Sequence, residues 1–127
     1  MLKLLAKYSD VISSYKISRF EHFGQILRFR AELILTDNTI LYVRETVLSM
    51  SIRKYSYHWQ DSCGKLIMRW DNASDWDVKT FPHHVHVEKE DAVEPSFDRT
   101  LDQVLNVVRS RLSKINDMPR KKLNSLE

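Results

Sequence analysis

The stretch "LRFRAELILTDNTILYVRETVL", Leu27 to Leu48, carries the strongest structural signal in the chain. Leu27, Phe29, Ala31, Leu33 and Leu35 fall on one side and Arg28, Arg30 and Glu32 on the other, the period-two alternation of a strand with one buried face. Asp37 and Asn38 tolerate the positive φ of a two-residue type I′ turn, so "TILYVRETVL" is expected to return antiparallel. That turn sets Leu35 opposite Ile40, Leu33 opposite Tyr42 and Arg30 opposite Glu45.

A second hairpin follows. "RKYSYHWQ" and "KLIMRWD" flank "DSCG", with Gly64 available for a left-handed position. Pairing Gln60 with Lys65 places Trp59 against Leu66, Tyr57 against Met68 and Tyr55 against Trp70 on a core side. Ser56, His58, Gln60, Lys65, Ile67, Arg69 and Asp71 then share the polar side, with His58 and Arg69 diagonal neighbours. Upstream, "VISSYKISRF" reads as a further strand, and Leu2 to Tyr8 as a short helix or an extended lead-in. Downstream, Asn72 to Pro82 reads as a loop and His83 to Val87 as a short edge strand. Thr100 and Gln103 have capping-box spacing before Leu101, Val104, Leu105, Val108, Leu112 and Ile115, which recur at helical spacing. The expected fold is α+β: a mainly antiparallel β-sheet of four or five strands with a C-terminal α-helix packed on one face.

A chain of 127 residues fits one such domain, here residues 1–115, followed by a basic C-terminal tail, 116–127, holding Arg120, Lys121 and Lys122 beyond Pro119. The 43% hydrophobic and 29% charged shares exclude a disordered or fibrous class. No stretch approaches the ~20 apolar residues of a membrane-spanning helix, and "MLKLLAKYSD" lacks the pattern of a secretory leader. A single cysteine, Cys63, in a turn makes no internal disulfide, so a reducing, cytoplasmic location is expected. The net charge of +3 permits nucleic-acid binding without requiring it.

The candidate chemistry lies in histidines. His84 and His86 alternate on a strand and so share a face, which suits a metal, with a third ligand to come from His58, His83, Asp71, Asp75 or Asp77. No HExxH or CxxC spacing supports that reading, and no cofactor is expected. Metal-free phosphodiester cleavage needs less: a base, an acid and a cation for the phosphate. His58, His83, His84 and His86 are candidates for the proton transfers, Arg69 for the phosphate and Asp71 for orienting a histidine. Gln60, Lys65 and Trp76 are candidates for substrate contact, Trp76 by stacking on a base. The bland alternatives are that the aromatics are core, that the histidines are ordinary surface or edge residues, and that "RWDN" is a strand end entering an Asx turn.

Taken together, "KYSYHWQD", "GKLIMRWDNA", "TFPHHVH" and "PSFDRTLDQVL" resemble the TumE family of toxins from prokaryotic toxin–antitoxin pairs, over roughly Arg28 to Leu112. The matching positions are Tyr55, Tyr57, His58, Trp59, Gln60 and Asp61, then Arg69, Trp70, Asp71, Asn72 and Ala73, then Pro82, His83, His84 and His86. The resemblance implies a small intracellular toxin neutralised by a helix-turn-helix antitoxin. The chain departs from the family pattern at Ser74 to Asp77, "SDWD", where Pro-His-His is usual. With the histidine chemistry, the expectation is a metal-independent endoribonuclease acting on RNA; the rivals are a non-catalytic protein-binding module and a metal-dependent hydrolase.

Overall fold

The computed structural model describes residues 1–116 and, of the side chains, those as far as Lys114; of the expected basic tail, 116–127, Asn116 ends the last helix and the remainder lies outside the described residues. The elements are α1 (Leu2–Lys7), β1 (Ile12–Phe23), β2 (Ile26–Leu35), β3 (Ile40–Ser49), β4 (Ile52–Gln60), β5 (Leu66–Asp71), β6 (His84–Val87), β7 (Val93–Pro95) and α2 (Leu101–Asn116). All strands join one antiparallel sheet in the order β1 to β7, so each strand pairs with its neighbours in sequence. The sheet therefore has seven strands rather than four or five. β7 is too short to stand out in the sequence, and by covering β6 it removes His84 to Val87 from the edge where they were expected.

The register of the central hairpin also differs from the type I′ expectation. Leu35 N–H donates to the Thr39 carbonyl at 2.9 Å and Asn38 alone takes a positive φ, 70°, so the loop has three residues, Thr36 to Asn38. The extra loop residue shifts the pairing by one: Leu33 faces Leu41, Ala31 faces Val43, and Arg30 faces Arg44 rather than Glu45. Burial explains why this register wins. A slip of one residue would put Arg44 opposite Ala31 on the buried face.

The three-residue loop is anchored from inside. Asp37 Oδ1 accepts from both the N–H and the hydroxyl of Thr39, at 3.1 and 2.6 Å. Thr39 Oγ1 in turn accepts the indole N–H of Trp59 at 2.8 Å, and Trp59 is 2% exposed. In the second hairpin Tyr57 pairs with Trp70, Trp59 with Met68 and His58 directly with Arg69, two positions from the expected register beyond a bulge at Gln60. An even shift preserves each side chain's face, so the division into core and polar sides stands.

α2 starts at the capping box, where Gln103 N–H donates to Thr100 Oγ1 and Thr100 N–H to Gln103 Oε1. Its stripe of Leu101, Val104, Leu105, Val108 and Leu112 is buried against Phe29, Leu33, Leu41, Val43, Tyr57 and Trp59. α1 closes the same core with Leu5 and Tyr8, whose hydroxyl donates to the Asp102 backbone carbonyl at 2.9 Å and also to its carboxylate. The opposite face carries the arginines, His58, Asp71, His84 and His86, together with a few apolar side chains such as Ile34 and Ile40.

Thr39→Val keeps the side-chain shape but strands the Trp59 indole N–H. The expected loss is about 1–3 kcal/mol in urea denaturation followed by tryptophan fluorescence. A change under about 0.5 kcal/mol would show that the buried bond does not hold the hairpin.

Candidate functional site

The site begins where β5 ends. Asp71 turns its carboxylate back onto the chain: Oδ1 accepts the Ala73 N–H at 3.0 Å and Oδ2 accepts from Arg69 Nε at 3.2 Å. Asn72 ties the departing loop to β4, accepting the Tyr55 N–H and donating to the Arg53 carbonyl. Across the strands Asp71 opposes His84 and Arg69 opposes His86, so all four side chains share the polar face.

His84 Nε2 lies 2.8 Å from Asp71 Oδ1, His86 Nε2 lies 3.3 Å from Oδ2, and the two Nε2 atoms are 3.1 Å apart. His84 Nδ1–H donates to the Pro82 carbonyl at 2.8 Å and His86 Nδ1–H to the Glu90 carbonyl at 2.7 Å. A carbonyl only accepts, so each Nδ1 carries the hydrogen and each neutral ring presents a bare Nε2 lone pair to its neighbours. Burial is nearly complete, with His84 0%, His86 1% and Asp71 7% exposed. Trp76, from the loop after β5, packs edge-on to His86 and tilted over His84. Buried lone pairs that converge in this way are satisfied only by a cation between them, a proton or a metal ion. Among the described residues, Asp71, His84 and His86 form the group whose ligand atoms all lie within 4.8 Å of one another.

The other expected residues are placed differently. His58 is half-buried on the same face as Arg69, with Nε2 3.0 Å from Gln60 Oε1. Burial first, and then the Arg69 charge, pull its pKa below the ordinary 6.5, against the opposing pull of the Gln60 hydrogen bond. Arg69 is occupied: both terminal nitrogens engage the Glu90 carboxylate while Nε holds Asp71. His83 points the other way, its Nδ1 2.8 Å from the hydroxyl of Tyr55 and its ring stacked on that tyrosine of the apolar face. Lys65 is exposed at the hairpin tip with Cys63. Trp76 is half-buried over the histidines. Of the expected set, then, Asp71, His84 and His86 meet, Arg69 and Trp76 touch them, His58 pairs with Arg69 across the strands and bonds Gln60, and His83 and Lys65 stand apart.

Two residues that sequence reasoning missed lead up to this cluster. The strand register aligns Arg19, Arg30, Arg44, Ser56, Asp71 and His84 in one row across the sheet. Arg30 and Arg44, exposed on adjacent strands, border an open groove of about 860 Å³ that reaches Ser56, Asp71 and Asn72. His58 shares an adjoining hollow with both arginines. The signal was present in the alternation of Leu41 and Val43, which places Arg44 on the polar face once the loop is given three residues.

A family model described as "Toxin TumE" matches residues 1–112. No curated protein and no solved structure matches the chain. The matched span contains the whole sheet, the histidine and aspartate cluster and α2 as far as Leu112, and it establishes that the chain belongs to the TumE family of toxins.

Proposed function

We propose that this toxin binds RNA along the arginine row and cleaves its phosphodiester backbone at the end of the groove that Asp71 borders. The observation supporting this is the arginine row itself. Like charges placed directly opposite each other weaken a strand pair. Arg30 nevertheless faces Arg44, and neither meets a carboxylate within ion-pair distance among the described residues. An anionic ligand relieves that repulsion, and a polyanion that follows the row arrives at the buried cluster. With strands about 4.8 Å apart, Arg44 stands roughly 10 Å from Asp71.

Arg30 and Arg44, rather than the already paired Arg69, are assigned the phosphates. His58, kept neutral by its surroundings, takes the proton of the attacking hydroxyl as the new bond to phosphorus forms. The bond from phosphorus to the leaving oxygen breaks, that oxygen receives a proton from a water at the Asp71 end, and the hydroxide so formed takes the proton held by His58, restoring water and the neutral imidazole. Asp71 orients both histidines of the cluster. A toxin family implies an antitoxin partner, which we take to be a helix-turn-helix protein, and we place the pair in the cytoplasm. No helix of the described residues is long and apolar enough to cross a membrane.

A second reading rests on β1, an outer strand of 12 residues with Phe20 and Phe23 exposed on it. An open strand edge can seize another chain by strand addition, and toxicity would then come from occupying a partner without chemistry.

Purified protein incubated with single-stranded RNA is expected to shorten it, and intact RNA under all conditions favours the second reading. Replacing both Arg30 and Arg44 by alanine should weaken RNA binding and lower the slope of log K against log salt by about 1.4, at roughly 0.7 per phosphate contact. Fluorescence anisotropy across a salt series measures it, and an unchanged slope removes the arginine row from the substrate path. The His58 assignment makes a separate prediction about pH. Because its pKa lies below 6.5, the base form dominates at neutral pH and cleavage should decline only as pH falls through a value below 6.5. His58→Gln should cost about 100-fold or more in kcat and abolish that acid limb; an acid limb that persists in the variant assigns it to another group.

A further inference from the structure

We infer that Asp71, His84 and His86 form a binding site for one divalent transition-metal ion of the zinc class. The donor set comes first: two imidazole nitrogens and a carboxylate are borderline ligands that suit zinc and its neighbours, whereas magnesium and calcium require oxygen. Geometry agrees. At zinc bond lengths of about 2.0–2.1 Å, two ligand atoms of a tetrahedron lie about 3.3 Å apart. The two imidazole Nε2 atoms are 3.1 Å apart, and the Asp71 carboxylate gives each its own oxygen, Oδ1 2.8 Å from His84 Nε2 and Oδ2 3.3 Å from His86 Nε2; taking one ligand atom per residue, all three lie within 4.8 Å of one another.

The supporting hydrogen bonds are those that hold metal ligands in place. Each histidine donates its Nδ1–H to a backbone carbonyl, fixing the tautomer that leaves Nε2 free to coordinate. Asp71 is oriented by the Ala73 N–H and Arg69 Nε. The charge of Arg69 does not repel a cation from the site, because Glu90 grips its outer nitrogens and the three side chains together remain anionic. Trp76 shields the imidazoles from one side.

A shared proton answers the hydrogen-bond bookkeeping less completely. One proton can bridge two of the four converging atoms, while a metal ion accepts lone pairs from both rings and the carboxylate at once. Three protein ligands leave a coordination position, and Asp71 lines the open groove. A water bound there would face the phosphate held by Arg44, with its proton made more acidic by the metal. That last role rests on the RNA-cleavage reading; metal binding itself does not.

The test starts from full-length protein stripped by dialysis against a chelator. Isothermal titration with Zn²⁺ should show one equivalent bound, native mass spectrometry should find one zinc per chain, and Mg²⁺ at the same concentration should give neither signal. Asp71→Asn and His86→Ala should each weaken zinc binding at least tenfold. Should those buried-site variants fail to fold, a His22→Gln, Cys63→Ser, His83→Gln triple variant removes donors outside the cluster and should still bind one equivalent. Well-folded wild-type protein that binds no zinc, or a triple variant that loses it, overturns the site. Zinc binding without RNA cleavage would sink the nuclease reading alone.

Discussion

The indole N–H of Trp59 and the hydroxyl of Thr39 meet in the core, and that bond anchors the loop at which the pairing of β2 with β3 is set. A strand has only two faces, so the three-residue loop that Thr39 closes decides between two complete arrangements. In the observed one, Leu33, Leu41, Val43, Tyr57 and Trp59 pack beneath α2. The alternation that buries them also sends Arg30, Arg44, Ser56 and His58 to the opposite face. Core formation and site formation are thus one event: the hydrophobic gain selects a register, and the register aligns the arginines with Asp71 and His84.

The cluster at the end of that row reverses the usual logic of a polar surface. Two imidazoles and a carboxylate are taken almost wholly out of water, and each is held by hydrogen bonds from its back. Buried polar groups carry a penalty unless they are satisfied, and these are satisfied on every side except the one where they face each other. Glu90 serves the arrangement twice, through its carbonyl to His86 and through its carboxylate to Arg69. The tight turn after β6, with Glu88 at a φ of 65°, brings it there.

Much of this was legible in the residues. The period-two run from Leu27, the capping box at Thr100 and the helical stripe to Leu112 are local patterns, and local patterns survive folding. The partners of each strand were less accessible, since Asp37 and Asn38 are compatible with both a two-residue turn and a three-residue loop. That one-residue ambiguity hid the Arg30 and Arg44 pair behind an attractive but absent pairing with Glu45. The strand spacing of His84 and His86 puts them on one face, while His83, a candidate beside them for proton transfer, is their neighbour in sequence. Strand geometry divides them, because adjacent residues face opposite ways, and His83 goes to Tyr55. β7 has three residues, below the length at which alternation can be recognised.

The sequential strand order has a consequence for the nascent chain. Each hairpin can pair as soon as its second strand leaves the ribosome, because every partner is its neighbour in sequence. The apolar face, however, stays uncovered until α2 has been made, the last element described. At roughly 5–20 residues per second, the interval from β6 to the end of α2 lasts on the order of seconds. During it a paired sheet displays Leu33, Leu41 and Tyr57 to any hydrophobic surface within reach, so the toxin passes through a stage in which capture by another chain competes with its own helix.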